Sequence, residues 1–229
     1  MAKIKNSHKF ARLVSASLIL YLLLTLPLIA ITLRSEYVRF VVTQTITHWK
    51  GKSLGVDNIF IGDSITAAGR NWGAPFNSIN LAGNGYTVWQ ITWQVNKTPS
   101  YKAENLFILA GTNDVVSGRA FTAAQFEADY TQLLERALES ELRVFVTEIP
   151  FTIHEEHHQK IAKANDIIRK LALDKRVTCI DLNSIIAPNG LLLNEYSLDG
   201  VHLNPTAYSH WRSLLGDAVG ELDKKHESG

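Results

Sequence analysis

"IFIGDSITAAGR", residues 59–70, decides how the rest of the chain is read. An apolar run ends in glycine, aspartate and serine, and small residues follow. That is the pattern of a buried strand stopping at a tight turn with a hydroxyl at its tip. In isolation Ser64 reads equally well as a nucleophile or as the cap of the next helix. The choice depends on whether the chain also supplies a base, an orienting acid and donors for a developing oxyanion.

Outward from this stretch, short apolar runs alternate with longer amphipathic ones. The apolar runs are "VDNIFIG", "FNSINLAG", "NLFILAG", "RVFVTEIP" and "VTCIDL". They are short and several are rich in Val, Ile and Phe, as expected of parallel strands buried on both faces. Helical spacing is read around Thr87–Asn96. It recurs in residues 122–140, through Phe126, Tyr130, Leu133, Leu134 and Leu138 with Thr122 as cap. It recurs again in residues 154–173, through Ile161, Ala164, Ile168 and Leu171. A last helix is expected after Asn204, with Pro205 in its first turn, running to about Leu222. This alternation predicts an α/β fold with a parallel sheet and helices on both faces. Ligands in such sheets bind beyond the carboxyl ends of the strands.

Hydrophobic residues make up 46% of the 229 and charged residues 20%, enough for a large core and too apolar for a disordered chain. The formal charge of +1 is uneven. Lys3, Lys5, Lys9 and Arg12 stand without an acid in residues 1–33. The other 19 bases and 22 acids leave the remainder at −3, which argues against nucleic-acid binding. Cys179 is the only cysteine and reads as a small buried hydrophobe, unable to form an intrachain disulfide.

Residues 13–33, "LVSASLILYLLLTLPLIAITL", carry no charge. At about 1.5 Å per residue they span roughly 30 Å, a bilayer core. A cleaved signal peptide is the alternative, but its apolar region is typically about 7–15 residues and ends in a small-residue site that "ITLRSEYVRF" lacks. The four preceding bases place the N-terminus in the cytoplasm. The expected division is a basic tail at 1–12, a transmembrane anchor at 13–33, a membrane-proximal linker at 34–53 and a periplasmic or extracellular domain at 54–229. In the linker, Tyr37, Phe40, Val41 and Trp49 suit either the membrane interface or packing on the domain.

Four polar blocks fall at strand ends or before the last helix: "GDSIT", "NLAGNGYT", "GTNDV" and "SLDGVHLNP". Each alone is as easily a turn or a cap. Together, in this order and spacing, they resemble the SGNH hydrolases, the GDSL-type esterases and lipases, over about residues 56–222. The resemblance implies a flavodoxin-like three-layer α/β/α sandwich with five parallel strands. It implies a catalytic triad of Ser64, His202 and Asp199, the last two in a D-x-x-H arrangement. It further implies an oxyanion hole from the Ser64 and Gly85 backbone N–H groups and the Asn113 side-chain amide. Asp63 and Asp114 are expected to support these loops. Tyr86 stands where many relatives carry aspartate. No metal and no organic cofactor is implied, and the substrate is an ester.

The chemistry fits these residue types. A serine hydroxyl becomes a useful nucleophile only when a base takes its proton, and an acid on the far ring nitrogen fixes the tautomer. The ester expected is an O-acetylated glycan or a lipid or lysophospholipid. An acyltransferase using the same triad is the main alternative, and a non-catalytic binding module the weaker one.

Other features carry plainer readings. "HEEHH", residues 154–158, offers two histidines four apart but no third metal ligand, and reads as a solvated helix start. Trp89 and Trp93 are expected to pack inward, and Trp72 to line a cleft. "NKT" at Asn96 is a glycosylation acceptor only on a eukaryotic secretory route.

Overall fold

In a computed structural model of the chain, the described residues are 55–69, 77–117 and 120–227, together with Thr25, Trp49, Lys52 and Ser53. The chain separates into two units, residues 1–50 and 51–229, and the fold below is that of the second. The expected anchor at 13–33 except Thr25, nearly all of the 34–53 linker, and Trp72 lie outside the described residues. Trp49 is described and is exposed. Among the described residues no helix is long and apolar enough to cross a membrane.

Five strands form one sheet: β1 (Asn58–Gly62), β2 (Ser78–Asn80), β3 (Asn105–Leu109), β4 (Arg143–Thr147) and β5 (Thr178–Ile180). Every pairing is parallel and the order is β2-β1-β3-β4-β5. That is the order of flavodoxin-like doubly wound sheets, with its switch point between β1 and β3. Among the described residues from 55 on, seven α-helices accompany the strands: α1 (Ser64–Ala68), α2 (Val88–Val95), α3 (Thr112–Val116), α4 (Ala123–Leu138), α5 (Glu155–Asp174), α6 (Asn183–Ile186) and α7 (Pro205–Glu227).

Strand alternation sorts the core into two halves. Successive side chains point to opposite faces of a strand. Ile59, Ile61, Leu106, Ile108, Val144 and Val146 accordingly join one buried cluster, packed with residues of α2, α4 and α5. Phe60, Phe107 and Phe145 face the other way, into a cluster with Ile65 of α1 and Tyr208, Trp211 and Leu215 of α7. These three phenylalanines are in register across β1, β3 and β4. Their rings stack with centroids 4.7 and 4.9 Å apart. The ladder covers the central strands with large apolar area and fixes their register, because a one-residue slip would send every ring to the wrong face.

The helices follow the predicted periodicity with local differences. Thr122 caps α4, its hydroxyl accepting from Gln125 N–H at 3.4 Å. On α4, Phe126, Tyr130, Leu133 and Leu134 are buried, but Leu138 is exposed and Ala137 takes the inward position. The Asn204 side chain receives the Thr206 and Ala207 N–H groups at 3.0 and 3.1 Å, capping α7, which extends to Glu227 rather than stopping near Leu222. Trp89 and Trp93 do not pack inward: they are 58% and 59% exposed. The buried face of α2 is Val88, Ile91, Gln94 and Val95 instead.

Candidate active site

The turn after β1 is held from two sides. A Cβ on Gly62 would stand 2.6 Å from the Leu109 carbonyl oxygen, so only glycine fits between β1 and β3 there. Gly62 N–H donates to Gln94 Oε1 at 2.9 Å, and the Gly62 carbonyl accepts from Gly83 N–H at 3.0 Å. Gln94 is buried on α2, so its amide continues the sheet's hydrogen bonding where β2 has already ended. Asp63 then caps α1, accepting from Ile65 N–H at 2.9 Å. Ser64 is therefore the first residue of α1 and not its cap.

The loop before α7 delivers the base. Gly200 adopts φ +95°, a left-handed turn natural to glycine. The chain closes on itself through Leu198 N–H to the His202 carbonyl at 2.8 Å. Asp199 Oδ1 accepts from the Val201 and His202 backbone N–H groups at 3.0 and 2.8 Å. Asp199 Oδ2 lies 2.7 Å from His202 Nδ1, and His202 Nε2 lies 2.9 Å from Ser64 Oγ. The three side chains thus form one continuous hydrogen-bonded line. The His202 backbone N–H above all, with the imidazole and the Val201 N–H, holds the Asp199 carboxyl down to about 2. Asp199 therefore stays ionised at any working pH and can hold Nδ1 as the protonated nitrogen, leaving the Nε2 lone pair for the serine. Tyr208 ties the two halves together, its hydroxyl donating to the Ile65 carbonyl at 2.5 Å and fixing α7 against α1.

The expected oxyanion donors come from the loops after β2 and β3. Gly85 adopts φ +75°, and open space lies where its Cβ would stand. The requirement for glycine here is thus conformational, and its exposed face is unobstructed. Asn80 braces this loop, its amide donating to the Thr66 carbonyl at 2.8 Å and its oxygen accepting from Ala82 N–H at 3.0 Å. Asn113 sits in the first turn of α3 and donates from Nδ2 to the Tyr86 carbonyl at 3.0 Å. An amide nitrogen carries two hydrogens, and this bond uses one. Asp114 Oδ2 accepts from Val88 N–H at 3.0 Å and so binds the third block to the start of α2.

Asp63 is wholly buried. Burial pushes its carboxyl from 3.8 up to about 6, against the pull of the Thr112 hydroxyl, the Ile65 N–H and nearby His202. Thr112 lies close enough to be felt, yet neither Asp63 Oδ2 nor Thr112 Oγ1 makes a hydrogen bond of normal geometry. A carboxyl with a raised native pKa binds its proton more tightly folded than unfolded. Its contribution is therefore full below about pH 4 and is lost as pH rises through 6, by about 3 kcal/mol at most. Asp63→Asn keeps a capping oxygen and removes the buried charge. In urea unfolding the variant should gain on the wild type between pH 4.5 and pH 8, and a pH-independent difference would contradict this assignment.

Of the remaining candidates, His154 brings its Nε2 to 3.1 Å from where a Cβ on Gly200 would stand. His158 Nδ1 lies 2.7 Å from the Gly190 carbonyl and its half-buried ring stacks on Phe151. Among the described residues no group of three or more His, Cys, Asp or Glu could hold a metal. Burial pushes the Cys179 thiol up to about 12, leaving it unreactive. Gln94 was not legible in the sequence. Its only signal is a polar residue on the inward side of α2, at helical spacing from Ile91 and Val95.

The fold recurs in solved structures. A GDSL-like lipase from Bacteroides thetaiotaomicron aligns over 82% of this chain and 98% of its own, at 19% identity and a TM-score of 0.68. An acetyl xylan esterase aligns over 72% and 100%, at 23% identity and 0.60. A lipase/acylhydrolase from Enterococcus faecalis aligns over 71% and 95%, at 20% identity and 0.59. At such identities the likeness concerns the fold. No curated protein matches the chain. The sequence profile of the GDSL-like lipase/acylhydrolase family matches residues 60–210, a stretch that runs from the first block through the last. With two thirds of its length inside that match, the chain belongs to the GDSL-like lipase/acylhydrolase family.

Proposed function

We propose that this protein is a membrane-anchored serine ester hydrolase acting through a covalent acyl-enzyme. Ser64 Oγ attacks the ester carbonyl carbon while His202 Nε2 takes its proton. The resulting oxyanion is received by the Ser64 and Gly85 N–H groups and the free hydrogen of Asn113 Nδ2. The imidazolium, stabilised by Asp199, returns the proton to the departing alkoxide oxygen, leaving the acyl group on Ser64. Water then attacks the acyl carbon and gives a proton to Nε2, which passes it to Ser64 Oγ as the tetrahedral intermediate collapses and frees the carboxylic acid. What carries this reading is the unbroken line Asp199–His202–Ser64, at 2.7 and 2.9 Å. Residues 13–33 are the membrane anchor, with the catalytic domain on the periplasmic or extracellular side. The substrate is an acyl or acetyl ester of a glycan or lipid met at that surface.

The reading is tested with p-nitrophenyl esters of increasing acyl length. Release of p-nitrophenol should fall steeply beyond acetate for a deacetylase and hold or rise for a lipid acyl hydrolase. Product appearing only when a glycan hydroxyl is added would mark an acyltransferase. No release with any ester or acceptor would overturn the assignment.

A further inference from the structure

Two tryptophans are exposed on α2, the helix that begins just after the loop carrying Gly85 and Tyr86. Trp89 and Trp93, four residues apart on one face of α2, are more than half exposed, with ring centroids 6.0 Å apart and planes at 66°. Contiguous exposed aromatic area is a feature of binding surfaces. They line a hollow with Tyr86, Gln90 and Lys97. Trp89 also borders a second hollow, with Thr122, Gln125 and Asp129.

The pair is preorganised and continuous with the oxyanion loop. Tyr86 directly follows Gly85, and its ring covers Gly83, where a Cβ would stand 2.5 Å from it. The Tyr86 carbonyl holds Asn113, and Asp114 holds the first N–H of α2. The start of α2, the helix that carries both tryptophans, is thus tied to the loops of the proposed oxyanion donors. Rigid placement of this kind lowers the ordering cost of a ligand.

We infer that Trp89 and Trp93 form a sugar-stacking platform that binds two successive pyranose rings of an acylated oligosaccharide whose ester reaches Ser64. Indole faces accept the apolar C–H face of a pyranose, while amide and carboxylate rims pair with its hydroxyls. Two faces turned 66° apart fit two rings of a twisting chain better than one straight acyl chain. The hollows also lack what a lipid surface requires. An acyl chain needs a continuous apolar groove, whereas Gln90 and Lys97 line the first hollow and Gln125 and Asp129 the second. Anionic headgroups need a cluster of bases, whereas among the described residues Lys97 is the one base lining the two hollows, and Asp114 and Asp129 line the second.

This inference rests on the ester-hydrolase reading, so the test keeps the two apart. The full-length protein, Trp89→Ala, Trp93→Ala and the double variant are compared on p-nitrophenyl acetate, on lysophosphatidylcholine and on mono-O-acetylated tetrasaccharides of β-linked xylose, glucose and N-acetylglucosamine. The double variant should lower the ratio of kcat/KM on at least one tetrasaccharide to that on p-nitrophenyl acetate by about 10- to 100-fold, mainly through KM. Quenching of tryptophan fluorescence by the same tetrasaccharide in a Ser64→Ala background should disappear with the pair, independently of turnover. Both indoles are on the surface, so thermal unfolding should change little. A ratio unmoved on all three glycans, or a loss confined to lysophosphatidylcholine, would overturn the platform. Acetate hydrolysis unaffected by Ser64→Ala would instead overturn the hydrolase reading, leaving the fluorescence result to stand alone.

Discussion

Ser64→Ala is expected to reduce kcat/KM on p-nitrophenyl acetate by roughly 10⁴-fold or more while leaving thermal stability almost unchanged. The large loss follows from removing the only atom that can carry the acyl group. The oxyanion donors and the base would remain, and by themselves they retain only a residue of the acceleration. The small stability change follows from the cap. Asp63, not Ser64, receives the Ile65 N–H, so the helix start survives the substitution. Alanine is also a good helix former in the first turn. Asp63→Ala should behave oppositely near pH 5, where the burial cost of its charge is small, by losing about 1 kcal/mol of helix capping. If Ser64→Ala unfolds like a lost cap and keeps its activity, the helix-cap reading of the opening stretch is the correct one.

The second large effect is expected at Asn113. Asn113→Ala should lower kcat by about 100- to 1,000-fold with a much smaller change in KM. Charge develops on the carbonyl oxygen only on the way to the tetrahedral intermediate, so a donor aimed at it acts on kcat. Asn113→Asp should fall at least as far, since it is nearly isosteric but brings an acceptor and a negative charge. The alternative is that Asn113 merely holds the Tyr86 carbonyl, its one side-chain bond in the structure. In that case both variants would lose stability, and kcat would move less than about threefold.

Much of this was legible in the sequence because it depends on order alone. Short apolar runs alternating with amphipathic stretches require a parallel sheet. A parallel sheet brings the ends of β1, β2 and β3 to one edge, and with them Ser64, Gly85 and Asn113. The pairing of Asp199 with His202 was implied by the resemblance to the SGNH blocks, since "DGVH" alone is as easily a loop with a surface histidine. What escaped depends on which face of a helix the sheet takes. Helical spacing around Thr87–Asn96 is consistent with either face turned inward, and large aromatic side chains favour the apolar choice. The structure turns Ile91 and Gln94 inward because Gly62 needs a partner where β2 stops short, and this leaves Trp89 and Trp93 outside. Likewise, the raised pKa of Asp63 comes from burial beneath α1 and α3, which composition cannot reveal.

The central claim is that Ser64 is a nucleophile activated by His202. Mass spectrometry of the protein after exposure to a fluorophosphonate measures this most directly, because the serine oxygen displaces fluoride and keeps the phosphonyl group. The account predicts a single adduct on the peptide containing Ser64, absent in Ser64→Ala and formed far more slowly in His202→Ala. An adduct on another residue, or equal labelling rates with and without His202, would contradict it.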